Sequence, residues 1–188
     1  VGPPQFHMGD IPVFQLFLHD CWVPDGQLLG QPGQAFVLLA NRLGLRRVEI
    51  GAHCVGMARR LLELMVDQAL RRSTFGQPLA SRQAVQWWIA DTEIEIQAAR
   101  QLVYAAAAKL DAGVTDIRRE AAMAKIYATE MITRVADRAV QLYGGMGFSR
   151  ELPIEWIYRN SRIYRVADGA SEILRREVAR GLLGDVAK

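Results

Sequence analysis

The chain has 188 residues, 51% hydrophobic and 23% charged, enough for one domain with a sizeable core and a small appendage. Its 23 basic and 20 acidic residues leave a net charge of +3, and the bases are scattered among acids rather than clustered with aromatics, which argues against a nucleic-acid binder. No apolar run has the length of a membrane span and no signal-peptide pattern opens the chain, so neither a membrane span nor secretion is expected.

Residues 1–34 hold five of the seven prolines around an aromatic and β-branched run, Val13 to Val23, that reads as strand. One or two strands cannot form a stable sheet alone. Residues 1–32 are therefore expected to be the end of a β-domain, and residues 33–188 a helical domain. The start at Val1, without a methionine, fits a piece of a longer protein.

From Gly33 onward the apolar spacing becomes helical. Val48, Gly51, Val55, Ala58, Leu62, Met65 and Ala69 recur three and four apart, as do Val85, Ile89, Thr92, Ile96, Ala99, Val103, Ala106 and Leu110. Ala128, Ile132, Val135, Ala139 and Leu142 make a third stripe. Breaks fall at 72–81, 111–116 and 144–153, where Gly, Pro, Ser and Asp gather. A fourth helix is predicted after "DGASE", with Leu174, Val178 and Leu182 facing inward. Four helices with short connections give an all-α, antiparallel four-helix bundle. Trp87, Trp88 and the methionines need no role beyond core or interface.

Cys21 and Cys54 lie outside any C-x-x-C, which predicts a reducing compartment (cytoplasm or organelle matrix) and no disulfide. His7, His19 and His53 lack metal-ligand spacing, so no metal site is expected.

Three polar, glycine-bearing stretches interrupt the bundle: residues 71–91, 141–163 and 165–175. None is a G-x-G-x-x-G after a strand, and none is a P-loop. Gly144 and Gly145 still leave backbone N–H groups open to a phosphate, and Arg72 adds charge beside a turn. Taken singly, a Gly-Gly after a helix is more often just a stop signal.

Their order and spacing resemble the C-terminal helical domain of the acyl-CoA dehydrogenase family. "CWVPDGQLLGQPGQAF" (21–36) echoes the family's "FVPxxxLLGxxGxGF". Arg72, Phe75, Gly76, Pro78, Gln83, Gln86, Ala90 and Asp91 match a second family motif, and Gln141, Gly144, Gly145, Gly147, Pro153, Glu155 and Arg159 a third. The resemblance implies an enzyme that binds FAD across a dimer contact and removes two hydrogens from an acyl-CoA thioester. It implies that Arg72 and Phe75 reach the FAD of a neighbouring subunit. Gln141, Gly144 and Gly145 would approach its adenosine and pyrophosphate end, with Gln83 and Glu172 as further cofactor contacts. Arg47 matches a position close to the acyl-CoA. For Gln83 and Arg159, hydrogen bonding within the bundle is an equal reading. The implied partners are an acyl-CoA, an electron-transferring flavoprotein as acceptor, and further copies of the chain in a tetramer.

The third stretch departs from the family at two positions. The family reads "E-G-T-[SN]-[EQ]", its glutamate taking the α-proton; here Asp168 stands for that glutamate and Ala170 for a flavin-contacting threonine. The family's other site for the base, on the first long helix, is filled by Arg46. Aspartate in the base position also occurs in one branch of the family. A carboxylate can take the α-proton if burial lifts its pKa by ~2 units or more. Its oxygens fall roughly 1.5 Å short of glutamate's, a displacement that can cost ~100-fold in rate if uncompensated. The competing reading is a non-catalytic flavin- or acyl-CoA-binding relative, in which the bundle serves oligomerisation and Asp168 only caps the last helix, a role worth ~1 kcal/mol.

Overall fold

A computed structural model describes residues 1–6 and 12–184. Five helices carry the fold: α1 (Ala35–Arg71), α2 (Gln83–Asp111), α3 (Arg118–Tyr143), α4 (Pro153–Ser161) and α5 (Ser171–Leu183). Two antiparallel ribbons accompany them, β1 (Gln5–Phe6) with β2 (Pro12–Val13), and β3 (Ser73–Thr74) with β4 (Gln77–Pro78). Short connections between α1, α2 and α3 return each helix alongside its predecessor. α3 packs against all four other helices and is the centre of the bundle.

The three sequence stripes become the core. Ala58, Leu61 and Met65 of α1, Ile96 and Ala99 of α2, and Met131, Ile132 and Val135 of α3 are buried. Each of the larger side chains contributes about 1.5–3 kcal/mol by leaving water. Leu62, Ile89 and Leu110 pack on the edge of this core. Gly51 lets α1 approach α2, since a Cβ there would lie 2.8 Å from Val103 Cγ2. The first turns of α1, with Phe36, Val37 and Leu39, remain exposed.

Three expectations need correction. Only Pro12 and Val13 of the Val13–Val23 run and its flank pair as strand; residues 14–23 form no regular element, and Phe14, Leu16, Phe17, Leu18 and Trp22 are exposed. A two-residue ribbon offers no sheet face on which to bury them. The last helix forms where predicted, and Leu174 is buried, but Val178 is half-buried and Leu182 is 73% exposed. The far end of α5 still meets the start of α3 at Gly181, where a Cβ would lie 3.0 Å from Arg119 Cδ, while Leu182 beside it stays exposed. Finally, α4 adds a fifth helix inside a stretch read as irregular. Its signals were Pro153 at the first helical position and the Ile154, Ile157, Ser161 stripe, all three buried. The all-α class expected from the sequence holds, and the bundle is three long helices with two short ones packed on α3.

The turn after α3 depends on Gly147, whose Cβ would meet Val140 O at 2.7 Å and Val140 Cα at 3.0 Å. Both obstacles are backbone, so neither can swing aside. Gly147→Ala is expected to cost on the order of 2–3 kcal/mol, seen as a Tm lowered by roughly 4–12 °C in calorimetry. An unchanged Tm would contradict this packing.

Candidate functional site

After α4 the chain passes a 3₁₀ turn, Arg162–Arg165, and reaches two successive left-handed residues, Asp168 (φ +54°) and Gly169 (φ +106°). Asp and Asn tolerate this region better than other side-chain-bearing residues. Both carbonyls of the turn are held by cations. Arg47 Nε of α1 donates to Asp168 O at 3.2 Å, and Lys125 Nζ of α3 donates to Gly169 O at 2.6 Å. These bonds go to backbone and leave the Asp168 carboxylate for other work. It is partly exposed, with Arg46 Nε 3.8 Å from Oδ2. The residue that caps α5 is Ala170, and no side-chain hydrogen bond caps that helix. Asp168 is thus not the cap that the competing reading required.

Lys125 is the residue that sequence reasoning missed. It is completely buried, although lysines almost never are unless paired. Burial is the main cause that pulls its ammonium down to about 8; Arg47 adds to this, while Asp168, Cys54 and Glu172 oppose it. Burial likewise pushes the neighbouring Cys54 thiol up to about 12. Partial burial lowers the Arg47 guanidinium from its ordinary value, with Glu177 and then Asp168 pulling the other way. The signal was present in the sequence: Lys125 falls between Ala121 and Ala128 on the apolar stripe of α3. The Ser171 hydroxyl, beside this turn, is buried without a hydrogen-bond partner among the described residues.

A second cluster forms at the other end of the helices. Gln68 and Arg72 from the end of α1 and Gln141, Gly144 and Gly145 from the end of α3 line one open cleft of about 650 Å³. The Tyr143 hydroxyl ties the two ends by donating to Leu64 O at 2.9 Å. Gly144 has φ +59°, and a Cβ on Gly144 or Gly145 would meet nothing within 4 Å. The backbone here is therefore bare and approachable, as a phosphate cradle requires. On the adjoining hairpin Phe75 is 98% exposed at φ +52°. Arg82 stands 5.9 Å over its ring and donates to Thr74 O at 2.8 Å. Gln83 opens α2 and is exposed.

The expected site residues therefore fall into two groups. Asp168, Arg47 and Glu172 gather at one end, with Arg72, Gln141, Gly144 and Gly145 at the other and Phe75 and Gln83 beside them. Arg47 and Arg71 both belong to α1; the 24 residue steps from one to the other span roughly 36 Å at 1.5 Å per residue. Arg159 pairs with Glu155 at 2.8 Å, one turn away on the same helix α4. Cys21 is exposed and Cys54 buried, both free thiols. Among the described residues, which exclude His7, no group of side chains could hold a metal. No helix there is long and apolar enough to cross a membrane.

Residues 34–183 match the family described as the acyl-CoA dehydrogenase C-terminal domain, and the chain belongs to that family. It is 53% identical over 178 residues to (R)-benzylsuccinyl-CoA dehydrogenase of Thauera aromatica, covering 95% of this chain and 44% of that enzyme. It is 34% identical to cyclohexane-1-carbonyl-CoA dehydrogenase of Geobacter metallireducens, over 92% of this chain and 45% of the relative. Among solved structures, butyryl-CoA dehydrogenase from Megasphaera elsdenii matches with a TM-score of 0.86 at 30% identity, over 97% of this chain and 48% of that one. A glutaryl-coenzyme A dehydrogenase in complex with glutaryl-CoA matches with a TM-score of 0.83 at 33% identity, over 86% of this chain and 41% of that one. The chain thus spans about half the length of the relatives it matches.

Proposed function

We propose that the protein carrying this chain is an FAD-dependent acyl-CoA dehydrogenase, and that Asp168 takes the α-proton of an acyl-CoA thioester as the α,β double bond forms. The observation that carries this reading is the held turn at Asp168. Its carbonyl and that of Gly169 are fixed by Arg47 and Lys125, while its carboxylate caps nothing. A general base needs that combination of fixed backbone and available oxygens. Bound FAD supplies the acceptor for the hydride that leaves the β-carbon.

The bare Gly144–Gly145 backbone, with Arg72 and Gln141 on the same cleft, fits the phosphate and adenosine end of a dinucleotide. Phe75, Gln83 and Glu172 remain candidate contacts to the same cofactor, and Arg47 to the acyl-CoA. The roughly 36 Å along α1 supports a cofactor shared between copies of the chain, because one chain cannot grip the dinucleotide at Arg72 and offer Asp168 to the same flavin. A homotetramer passing electrons to an electron-transferring flavoprotein follows from this reading, as does a cytoplasmic or matrix location. Residues 1–32 would complete a β-domain belonging to the same protein.

Anaerobic addition of acyl-CoA thioesters to the purified whole protein tests the proposal, with benzylsuccinyl-CoA heading the panel. Bleaching of the oxidised flavin band is the expected result. A flavin that no thioester reduces, or a protein that binds no flavin, would overturn it. Arg72→Ala is expected to weaken FAD binding about 10- to 100-fold, as loss of a charge-assisted phosphate contact does. Flavin retained per protomer after dialysis reads this directly, and full retention would remove Arg72 from the site.

A further inference from the structure

We propose that the outer face of α2 pairs two copies of the chain antiparallel, which sets the Arg72 cleft of one copy at the same end as the Asp168 turn of the other; that the two then share one cofactor rests on the dehydrogenase reading. α2 is apolar on two sides. Its inward stripe, with Ile96, Ala99 and Val103, is buried in the core. A second stripe, Trp87, Ile94, Ala98, Gln101, Ala105 and Ala108, recurs at helical spacing along the opposite side. Trp87 is 59% and Ile94 65% exposed among the described residues, and Ala105 and Ala108 are open with them. From Trp87 to Ala108 the stripe runs roughly 32 Å at 1.5 Å per residue. A helix that is apolar on both sides is one with neighbours on both.

The grading of the stripe selects a second copy as its occupant. The bulky members, Trp87 and Ile94, lie in its first half, and the alanines follow. When two such helices run antiparallel with Ile94 opposite Gln101, Trp87 falls opposite Ala108, so large side chains enter the space that small ones leave. A parallel pair would set Trp87 against Trp87. Charge is graded the same way: Asp91, Glu93 and Glu95 come first, Arg100 and Lys109 later. Glu95 and Lys109 are engaged within the bundle, by Arg138 and Glu120. Glu93 and Arg100 touch only their own helix, Glu93 accepting from Gln97 at 2.7 Å and Arg100 lying 5.0 Å over the Tyr104 ring. Two helical turns apart, they share one edge of the stripe. In the same register Glu93 of one copy comes within ~3 Å, along the helix axis, of the level of Arg100 of the other. Twofold symmetry makes that pair twice.

α1 runs from Arg47, at the Asp168 end, to Arg71 beside the cleft, and α2 runs back alongside it. Gly51 of α1 lies against Val103 of α2, and Lys109 near the end of α2 pairs with Glu120 in the first turn of α3. α2 therefore starts at the cleft end and finishes at the Asp168 end. Laying a second α2 antiparallel on the first stands one copy's Arg72 cleft at the end of the pair that carries the other copy's Asp168. The roughly 36 Å that separate these groups along one chain close between copies. The twofold creates two such composite sites.

Sedimentation of the whole flavoprotein, with flavin counted per protomer, tests the pairing. Ile94→Lys, at a position open in the single chain, is expected to weaken assembly about 100-fold or more, as an unpaired charge in an interface does, and to halve the assembled mass. Glu93→Arg and Arg100→Glu should each weaken assembly about 10-fold by setting like charges together. Mixing those two variants should restore it to within about threefold of wild type, because each copy supplies the charge the other lacks, and flavin lost from the single variants should return. A full mass in Ile94→Lys would overturn the proposal, and a lowered Tm beside it would mean that another part of the same chain covers α2. A mixture that assembles no better than its components would overturn it as well. Full flavin in a halved assembly would overturn the composite site. Restored assembly with no flavin bleaching by any thioester would instead overturn the dehydrogenase reading and leave the pairing in place.

Discussion

Asp168→Asn is expected to lower turnover of the whole enzyme by about 1,000-fold or more, the scale on which positioned bases act, while flavin content and Tm stay near wild type. The separation is possible because the side chain does little for the fold. The turn is held through the carbonyls of Asp168 and Gly169, which asparagine leaves in place. Asparagine also tolerates the left-handed φ of +54°. Asp168→Glu gives the complementary result. It restores a carboxylate but moves the oxygens by roughly 1.5 Å, so turnover should recover only in part, to within about 100-fold of wild type. Rates should be measured as anaerobic flavin reduction in single turnover, so that slow reoxidation cannot mask the chemical step. If Asp168→Asn reduces its flavin within tenfold of the wild-type rate, the base lies elsewhere.

The long helices were legible because α1, α2 and α3 each bury one stripe of three- and four-residue spacing, whose members are buried except for Leu62, Ile89 and Leu110 at the edge of the core. The bare backbone after α3 was legible for a different reason: Gly144 and Gly145 mark a position with no side chain in the way. What escaped was whatever depends on a neighbour remote in sequence. Nothing local distinguishes the aromatic run at 14–23 from a strand, because a strand is made by its partner. Leu182 carries the right period, yet it stays exposed while its neighbour Gly181 is the residue that meets Arg119 of α3. Lys125 is the sharpest case: it meets Gly169 44 residues later, and only the fold brings them together. Asp168 before glycine looked like a helix cap, yet the left-handed pair at 168–169 moves the cap to Ala170.

Lys125 makes the second large prediction, in pH dependence as well as rate. Its ammonium titrates near 8 in the folded chain against an ordinary value of 10.5. Below pH 8 both states carry the proton, and the folded state bears the cost of a buried charge. Between 8 and 10.5 the unfolded chain holds the proton that the folded chain has lost, so stability rises with pH by about 1.4 kcal/mol per unit. Cys54 acts in the opposite sense. Its thiol is held near 12 against an ordinary 9.0, so from pH 9 the unfolded chain ionises first and stability falls at the same slope. Above pH 10 Tyr143 and Tyr164, whose phenols burial pushes up, add to the fall. Urea unfolding of the whole protein should therefore show a gain of roughly 1 kcal/mol between pH 7.5 and 9, then a plateau as the two slopes cancel. Lys125→Met fills the same space without a titrating group, so its stability should be flat to pH 9 and decline from there. A gain that survives in Lys125→Met would mean that another group causes it. The same substitution removes the donor to Gly169 O and loosens the backbone that presents Asp168, which should reduce kcat by about 10- to 100-fold with flavin content unchanged. The buried amine thus stabilises the turn at Asp168 through one hydrogen bond, and its desolvation costs the fold stability at neutral pH.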